Sequence, residues 1–502
     1  MHLLGYDLGS SSIKASIVNA ETGACMASSF YPKAEMEIMA PRPGWAEQDP
    51  SVWWANLVKA THEALRISGI KPGSIGGIGI SYQMHGLVVV DKKKQVLRPA
   101  IIWCDSRAVE IGNKAFREIG PDVCLHTLLN SPGNFTASKL KWIKDNEPDL
   151  YAQIWKIMLP GDYAALRMTG EACMTASGLS EGIFWDFRAN RISETVLDYF
   201  GFDPAFLPEP APTFAEQGRL LPAAADELGL AAGIPVAYRS GDQPNNAFSL
   251  NVLNPGEIAA TAGTSGVVYG VTNATTCDRQ SRVNIFAHVN HQPDIPRLGV
   301  LLCINGTGIL NSWVKKNLFS ALDYSGVNDR AAQIAPGSDG LLILPFGNGA
   351  ERMLGNADTS CVISNLNFNL HSGAHFARAA QEGIVFSFQY GIEIMETLGI
   401  KPSMIRAGHA NMFLSPIFRQ SLADLTGATI ELYNTDGSQG AARGAGIGTG
   451  IYKSPSEAFA GLDRILTVQP DAAGGRVLAA AYQNWRGFLE QRLQQSSGRA
   501  SV

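Results

Sequence analysis

Two short stretches, about half a chain apart, restrict what this sequence can fold into. Residues 7–17 read DLGSSSIKASI and residues 261–271 read TAGTSGVVYGV. Each joins an apolar strand to a turn of glycine and hydroxyl residues and then to a second strand, which is the grammar of a hairpin. One such hairpin in each half points to two related halves. The length agrees, because 502 residues exceed what one ordinary hydrophobic core organises, and two or three domains are expected.

Around the first hairpin, LLGYDLGSSSIKASIVNAETGACMASSFY gives three strands separated by the Gly/Ser turn and an ETG turn. In DPSVWWANLVKATHEALR, Asp49 is a helix cap and Pro50 fits the first turn. Trp54, Leu57, Val58, Thr61, Ala64 and Leu65 then recur with a helical period. Beyond the second hairpin, MIRAGHANMFLSPIFRQSLADLTG reads as strand, loop and helix, opened by Ser415 and Pro416 and stopped by Gly427. GSQGAARGAGIGTG is a helix of small residues expected to pack closely, against a nucleotide. Leu478, Tyr482, Trp485 and Leu489 mark a terminal helix, over about residues 476–493, expected to dock back onto the body.

Net charge is −5 and the longest basic run is DKKKQ, so nucleic acid is not an expected partner. No apolar window reaches the roughly 18 residues of a membrane span. The N-terminus has no basic segment followed by a long apolar core, so a cytoplasmic location is expected. Seven cysteines form no CxxC pair or Cys/His cluster, which argues for reduced thiols and against a zinc site.

Five stretches carry candidate chemistry. In YDLGSSSIK, the turn at Ser10, Ser11 and Ser12 offers N–H and O–H donors to phosphate oxygens, and Asp7 could hold a hydrated Mg²⁺; a plain polar hairpin is the alternative. The pattern is neither a Walker A loop nor GxGxxG. AGTSG, with Gly263, Thr264 and Ser265, offers the same donors from the other half, and a phosphate clamped between domains needs donors from both. In SYQMHG, His85 could bond sugar hydroxyls while Met84 covers an apolar face, or be a satisfied core histidine. In IIWCDSR, Trp103, Asp105 and Arg107 form either a pocket wall or a salt bridge. In YRSGDQPNNAF, Asp242 is the only acid between Glu227 and Glu257. A carboxylate isolated at a strand end suits a general base for an alcohol, and equally suits an Asx-turn cap on the next helix.

Taken in this order, YDLGSSS, GWAEQDPSVWW, QMHG, RPAIIWCDSR, FTASKLKWI, GDQPNNA, GTSG, AAQEGIVFSF and GAARGAG resemble the FGGY carbohydrate kinases. Within that family they are most similar to the branch that phosphorylates D-xylulose, and the likeness spans nearly the whole chain. The resemblance implies an α/β fold of two ribonuclease-H-like domains of the actin/hexokinase/Hsp70 type, over 1–244 and 245–502, with ATP and sugar in the interdomain cleft. It implies Asp242 as catalytic base and metal neighbour, and Asp7 as the acid linked through water to Mg²⁺. Met84, His85 and Trp103 would contact the sugar. Ser10, Ser11, Ser12, Gly263, Thr264, Ser265, Gly306, Gly408, His409 and Asn411 would hold the nucleotide. The implied reaction carries the γ-phosphate of ATP to the 5-hydroxyl of D-xylulose. Another ketose or polyol, or an actin-like sugar-binding ATPase, is the alternative, and a homodimer is the assembly considered. The chain departs from the family pattern with AGHANMF in place of a glycine-rich loop, GNGAERML in place of SGERTPH, and GDQPNNA in place of a GDNAA-like form.

Overall fold

The computed structural model describes residues 1–499. Strands β1 (His2–Leu8), β2 (Ile13–Asn19) and β3 (Cys25–Tyr31) form an antiparallel meander, as the two turns between them dictate. Strand β4 (Ile75–Tyr82) adds parallel to β1, and β5 (Val236–Gly241) parallel to β4, giving the order β3-β2-β1-β4-β5. Both faces are covered, so β1 and β4 are nearly continuous apolar runs rather than alternating ones. The register sets Asp7 beside Lys14 on β2 and Ser81 on β4, at the edge where the parallel strands end.

The second half repeats this plan. Strands β6 (Ile258–Ala262), β7 (Gly266–Thr272), β8 (Asn284–Ala287), β9 (Leu298–Ile304), β10 (Met404–Gly408), β11 (Thr429–Tyr433) and β12 (Arg464–Val468) lie in the order β8-β9-β7-β6-β10-β11-β12. Without the outer strands β8 and β12, the order and the strand directions match those of the first sheet. The ribonuclease-H-like arrangement is therefore present twice, and each copy begins with one of the two hydroxyl-rich hairpins.

Six helices matter for the site and its supports. Helix α1 (Pro50–Ser68) covers one face of the first sheet; Asp49 caps it through Ser51 N, and Gly69 ends it at φ 65°. Helix α2 (Asp242–Ser249) runs straight on from β5. Helices α3 (Gly373–Glu396) and α4 (Pro416–Thr426) pack with the second sheet, the latter capped by Ser415. Helix α5 (Gly437–Gly448) is the small-residue helix, and it lies on the first sheet with its first residue behind Asp7. The contact is close: a Cβ on Gly5 would sit 1.9 Å from the Ser438 carbonyl, and one on Gly79 1.9 Å from the Ala441 carbonyl. Small residues on both sides let backbone meet backbone there. In α6 (Ala472–Arg499), Leu478, Tyr482, Trp485 and Leu489 are buried, and the Trp485 indole donates to the Ile343 carbonyl at 2.9 Å. Among the described residues no helix is long and apolar enough to cross a membrane.

Candidate active site

The turn after β1 is supported from within the fold. Gly9 N–H donates to the Ser12 carbonyl at 3.1 Å, and Gln48 Nε2 donates to the Ser10 carbonyl at 2.7 Å. The Gln48 oxygen in turn accepts from Trp53 Nε1 at 3.0 Å and Gln83 Nε2 at 3.2 Å. Ser10, Ser11 and Ser12 stay accessible above this support. Gln48 thus positions the turn, and its only signal in the sequence is its place just before the helix cap Asp49 in GWAEQDPSVWW. Trp103 is half exposed and its indole reaches the Ser10 hydroxyl at 3.4 Å. Asp105 and Arg107, by contrast, belong to a buried ion cluster: Arg107 bonds Asp105 at 2.7 Å and Glu47 at 2.7 Å and lies 3.7 Å over the Trp45 ring. For these two the salt-bridge account holds.

Asp7 has no ion pair among the described residues. Lys14, its cross-strand neighbour, instead bonds Asp436 at 2.7 Å, the residue that caps α5. Burial raises the Asp7 pKa from its ordinary value; the Ser81 hydroxyl opposes this and the Asp436 charge adds to it. Gly437 stands directly behind, where a Cβ would come within 2.5 Å of Asp7 Oδ2.

Asp242 opens α2, but the cap position belongs to Gly241 and no side chain caps the helix. The Asx-turn account therefore fails, and the carboxylate has no cationic partner among the described residues. Burial lifts its pKa to about 7, the negative charge of Asp7 contributes, and hydrogen bonds from Gln243 pull the other way. Asn245, one turn on, donates to the Gly437 carbonyl at 2.8 Å and so ties α2 to the start of α5.

Met84 and His85 follow β4 beside this junction. A Cβ on Gly241 would lie 2.6 Å from Met84 Cγ and 2.6 Å from Glu181 Oε2, so glycine is needed there for close approach. His85 adopts φ 61°. Its Nδ1 lies 3.0 Å from the Glu181 carbonyl, and its ring packs on Phe135 at 4.7 Å and on Phe286 at 5.3 Å. Phe286 sits on β8, so the imidazole is held by both halves of the chain. Burial and then the Lys139 charge depress its pKa to about 3. A carbonyl can only accept, so the neutral ring carries its proton on Nδ1 and leaves Nε2 as an acceptor. Glu181 went unnoticed in the sequence, since nothing in SEGIFWD marks it. Both of its carboxyl oxygens are buried with no ion pair among the described residues; burial followed by the Asp242 charge raises its pKa well above its ordinary value, and the Tyr82 hydroxyl opposes this.

On the other side, a cavity of about 420 Å³ is lined by Gly263, Thr264, Asn311, Tyr324, Asn328 and Asn411, among others. It has no charged side chain in its wall. The β6–β7 turn is fixed by Gly308 N–H donating to the Gly263 carbonyl at 2.9 Å and Ile309 N–H to the Thr264 carbonyl at 3.1 Å. Asn411 reaches this turn from a left-handed backbone, φ 53°. Ser265 is exposed next to the turn, and Gly408 ends β10 just ahead of Asn411. His409 and Gly306 are not in the cavity wall. His409 is exposed and its N–H is engaged by the Tyr433 carbonyl. Gly306 donates its N–H to Glu351 Oε1 at 2.9 Å and abuts Pro345, so it is unavailable to a phosphate. The polar residues at 311, 324 and 328 were missed because they lie on helices that the sequence reading did not place.

GNGAERML is explained by the same contacts. Glu351 is fully buried and accepts from the N–H groups of Asn305 (3.0 Å) and Gly306 (2.9 Å). Arg352 bonds the Ser281 carbonyl at 2.8 Å. It also acts electrostatically on Cys303 near the end of β9, an exposed cysteine whose thiol also feels the Asp242 charge. The strand ends of the two sheets therefore meet around Asp242.

Residues 2–249 match the N-terminal domain of the FGGY family of carbohydrate kinases, and residues 258–449 match its C-terminal domain. The chain is 28 % identical over 496 residues to the xylulose kinase of Escherichia coli strain K12, covering 98 % of each chain. It is 30 % identical over 448 residues to the xylulose kinase of Klebsiella pneumoniae, covering 88 % of each. Among solved structures, the xylulose kinase from Rhodospirillum rubrum has the same fold, with a TM-score of 0.87 at 23 % identity over 98 % of this chain and 99 % of that one.

Proposed function

Because the chain belongs to the FGGY family of carbohydrate kinases, we propose that this sugar phosphotransferase carries the γ-phosphoryl group of ATP to the terminal 5-hydroxyl of D-xylulose. The observation that carries the reading is the unpaired Asp242 carboxylate at the β5–α2 junction, between the Met84–His85 wall and the Asp7 turn. Residues 1–244 would supply the sugar side and 245–502 the nucleotide side of one cleft, in a cytoplasmic enzyme.

Phosphoryl transfer asks a protein mainly for positioning and charge stabilisation. His85 Nε2 accepts a hydrogen bond from one end of the sugar while Met84 covers its apolar face. The far hydroxyl then meets Asp242, which takes the proton as the oxygen attacks phosphorus. The turns at Ser10–Ser12 and Gly263–Ser265 donate to phosphate oxygens, and the uncharged cavity beside Asn411 takes the nucleoside. Two carboxylates without cationic partners, Asp7 and Asp242, match the one or two acids that hold a hydrated Mg²⁺ in phosphoryl-transfer sites. Mg²⁺ bound there would neutralise charge on the phosphate oxygens. Closing the halves excludes water from the transferring group.

The test is sugar-dependent ADP release across a panel of ketoses, aldoses and polyols. D-xylulose should give the highest kcat/KM. A tenfold preference for glycerol, xylitol or a heptulose would remove xylulose while leaving the kinase in place.

A further inference from the structure

FTASKLKWI contains a residue to which this reaction gives no task. Lys139 lies on the helix Thr136–Asn146 and is 0 % exposed. Buried ammonium groups are ordinarily paired with a carboxylate, because the charge is costly to desolvate. Lys139 has no carboxylate at ion-pair distance among the described residues. Its Nζ donates instead to two backbone carbonyls, His85 O at 2.8 Å and Ile102 O at 3.0 Å.

Those carbonyls come from separate segments, one after β4 and one after the short strand Ala100–Ile101. The first belongs to a residue at φ 61°, a conformation that a non-glycine residue keeps only when its surroundings impose it. The ring of His85 is fixed by the Glu181 carbonyl, Phe135 and Phe286, whereas its own carbonyl is fixed by Lys139. An apolar residue would fill this volume without a desolvated charge, so packing alone does not account for a lysine.

We propose that Lys139 is a positioning residue whose Nζ donors clamp the His85 and Ile102 carbonyls and so hold His85 in the left-handed conformation from which Nε2 meets the sugar. The proposal rests on the reading of His85 as a sugar ligand. Burial, and second the charge of Lys139 when it is protonated, oppose protonation of the imidazole and keep Nε2 an acceptor; burial lowers the Lys139 pKa itself to about 7.

Lys139→Met removes the clamp with little change in volume. It should lower kcat/KM for the preferred sugar ten- to a hundredfold, mostly through KM, and leave KM for ATP within twofold. In a His85→Ala background the same change should alter kcat/KM less than threefold, since residues acting through one another are not additive. Nitrogen-15 NMR of histidine-labelled protein without sugar, with His85 assigned by its loss in His85→Ala, should show one Nδ1–H tautomer in the parent and averaged tautomers in Lys139→Met. If the methionine variant does not fold, Lys139→Gln, a shorter donor, is taken through the same measurements. Equal losses in both His85 backgrounds, or an unchanged His85 spectrum, would overturn the clamp. A parent enzyme that phosphorylates no ketose would remove the proposed function instead, and the spectra would still decide whether Lys139 positions His85.

Discussion

Nδ1 of His85 donates to the carbonyl oxygen of Glu181 across 3.0 Å, and this one contact determines which nitrogen of the neutral ring is left as the acceptor. On the proposed role of His85, a side chain that replaces it must accept at the Nε2 position to support sugar binding. Glutamine reaches that far and alanine does not. His85→Ala should lower kcat/KM for the sugar by roughly 10- to 100-fold, the cost of leaving one hydroxyl unpaired. His85→Gln should recover a measurable part of it. Sugar-independent ATP hydrolysis should be unchanged in both. Equal loss in the two variants, measured by steady-state kinetics, would mean that Nε2 is not a ligand.

The contact between α5 and the first sheet makes a stability prediction. A methyl on Gly79 would sit 1.9 Å from the Ala441 carbonyl, which is backbone and cannot swing aside. Gly79→Ala should cost about 1–3 kcal/mol, the range for overpacking a close interface. Gly69→Ala is not a fair control, because Gly69 has φ 65°. Gly73→Ala is one, since nothing lies within 4 Å of its added methyl and its φ is ordinary. Urea denaturation of the two variants should separate them by at least 1 kcal/mol.

Much of this architecture was legible because hairpins and caps are local. The Gly/Ser and Gly/Thr turns, the Asp49 and Ser415 caps and the stop at Gly427 are each decided by residues within one turn of one another, and the structure has all of them. The partner of α5 was not legible, because it lies more than 350 residues away and small residues specify closeness but not against what. Asp242 could be singled out as an isolated acid, yet only the structure separates a free carboxylate from a cap. Glu181 and Lys139 left no trace in the sequence as site residues. Burial of a charged group without an ion-pair partner depends on the whole fold, and neither residue sits in a turn or strand end where chemistry is sought. Gly306 misled for a related reason: an N–H in a glycine turn suits a phosphate, but here Glu351 had already taken it.

His288 gives a pH prediction unconnected with catalysis. It is fully buried, bonds Tyr269 Oη and the Val252 carbonyl at 3.0 Å each, and burial lowers its pKa to about 3. The unfolded chain, at its ordinary 6.5, binds a proton that the native state refuses between these values. Stability from this site is therefore complete above pH 6.5 and falls as the pH drops toward 3. The slope is about 1.4 kcal/mol per pH unit for one proton. His288→Gln should flatten the dependence of unfolding free energy on pH by about that slope between pH 6 and 4. Parallel curves for the two proteins would show that the ring is protonated in the native state.

Asp242 joins the same linkage to function. Its carboxyl is lifted to about 7 by burial and by the charge of Asp7, so in the free enzyme it holds a proton that the unfolded chain releases near pH 4. Ionising it in place opposes folding, and that penalty grows as the pH rises from about 4 to about 7. Asp242→Asn removes the charge, so at pH 8 the variant should be at least as stable as the parent, and at pH 5 the two should converge. Activity should move the other way. The base must be ionised, so kcat/KM of the parent should fall below pH about 7, and the midpoint should shift down when bound Mg²⁺ adds positive charge nearby. The asparagine variant should lose about 10²–10⁴ in turnover above pH about 7, the usual worth of a general base, and the gap should narrow at lower pH as the parent's own carboxylate is protonated. Thermal melts and kinetics on one preparation read both effects together. A variant less stable than the parent at pH 8, or one that keeps most of the activity, would return Asp242 to a structural role.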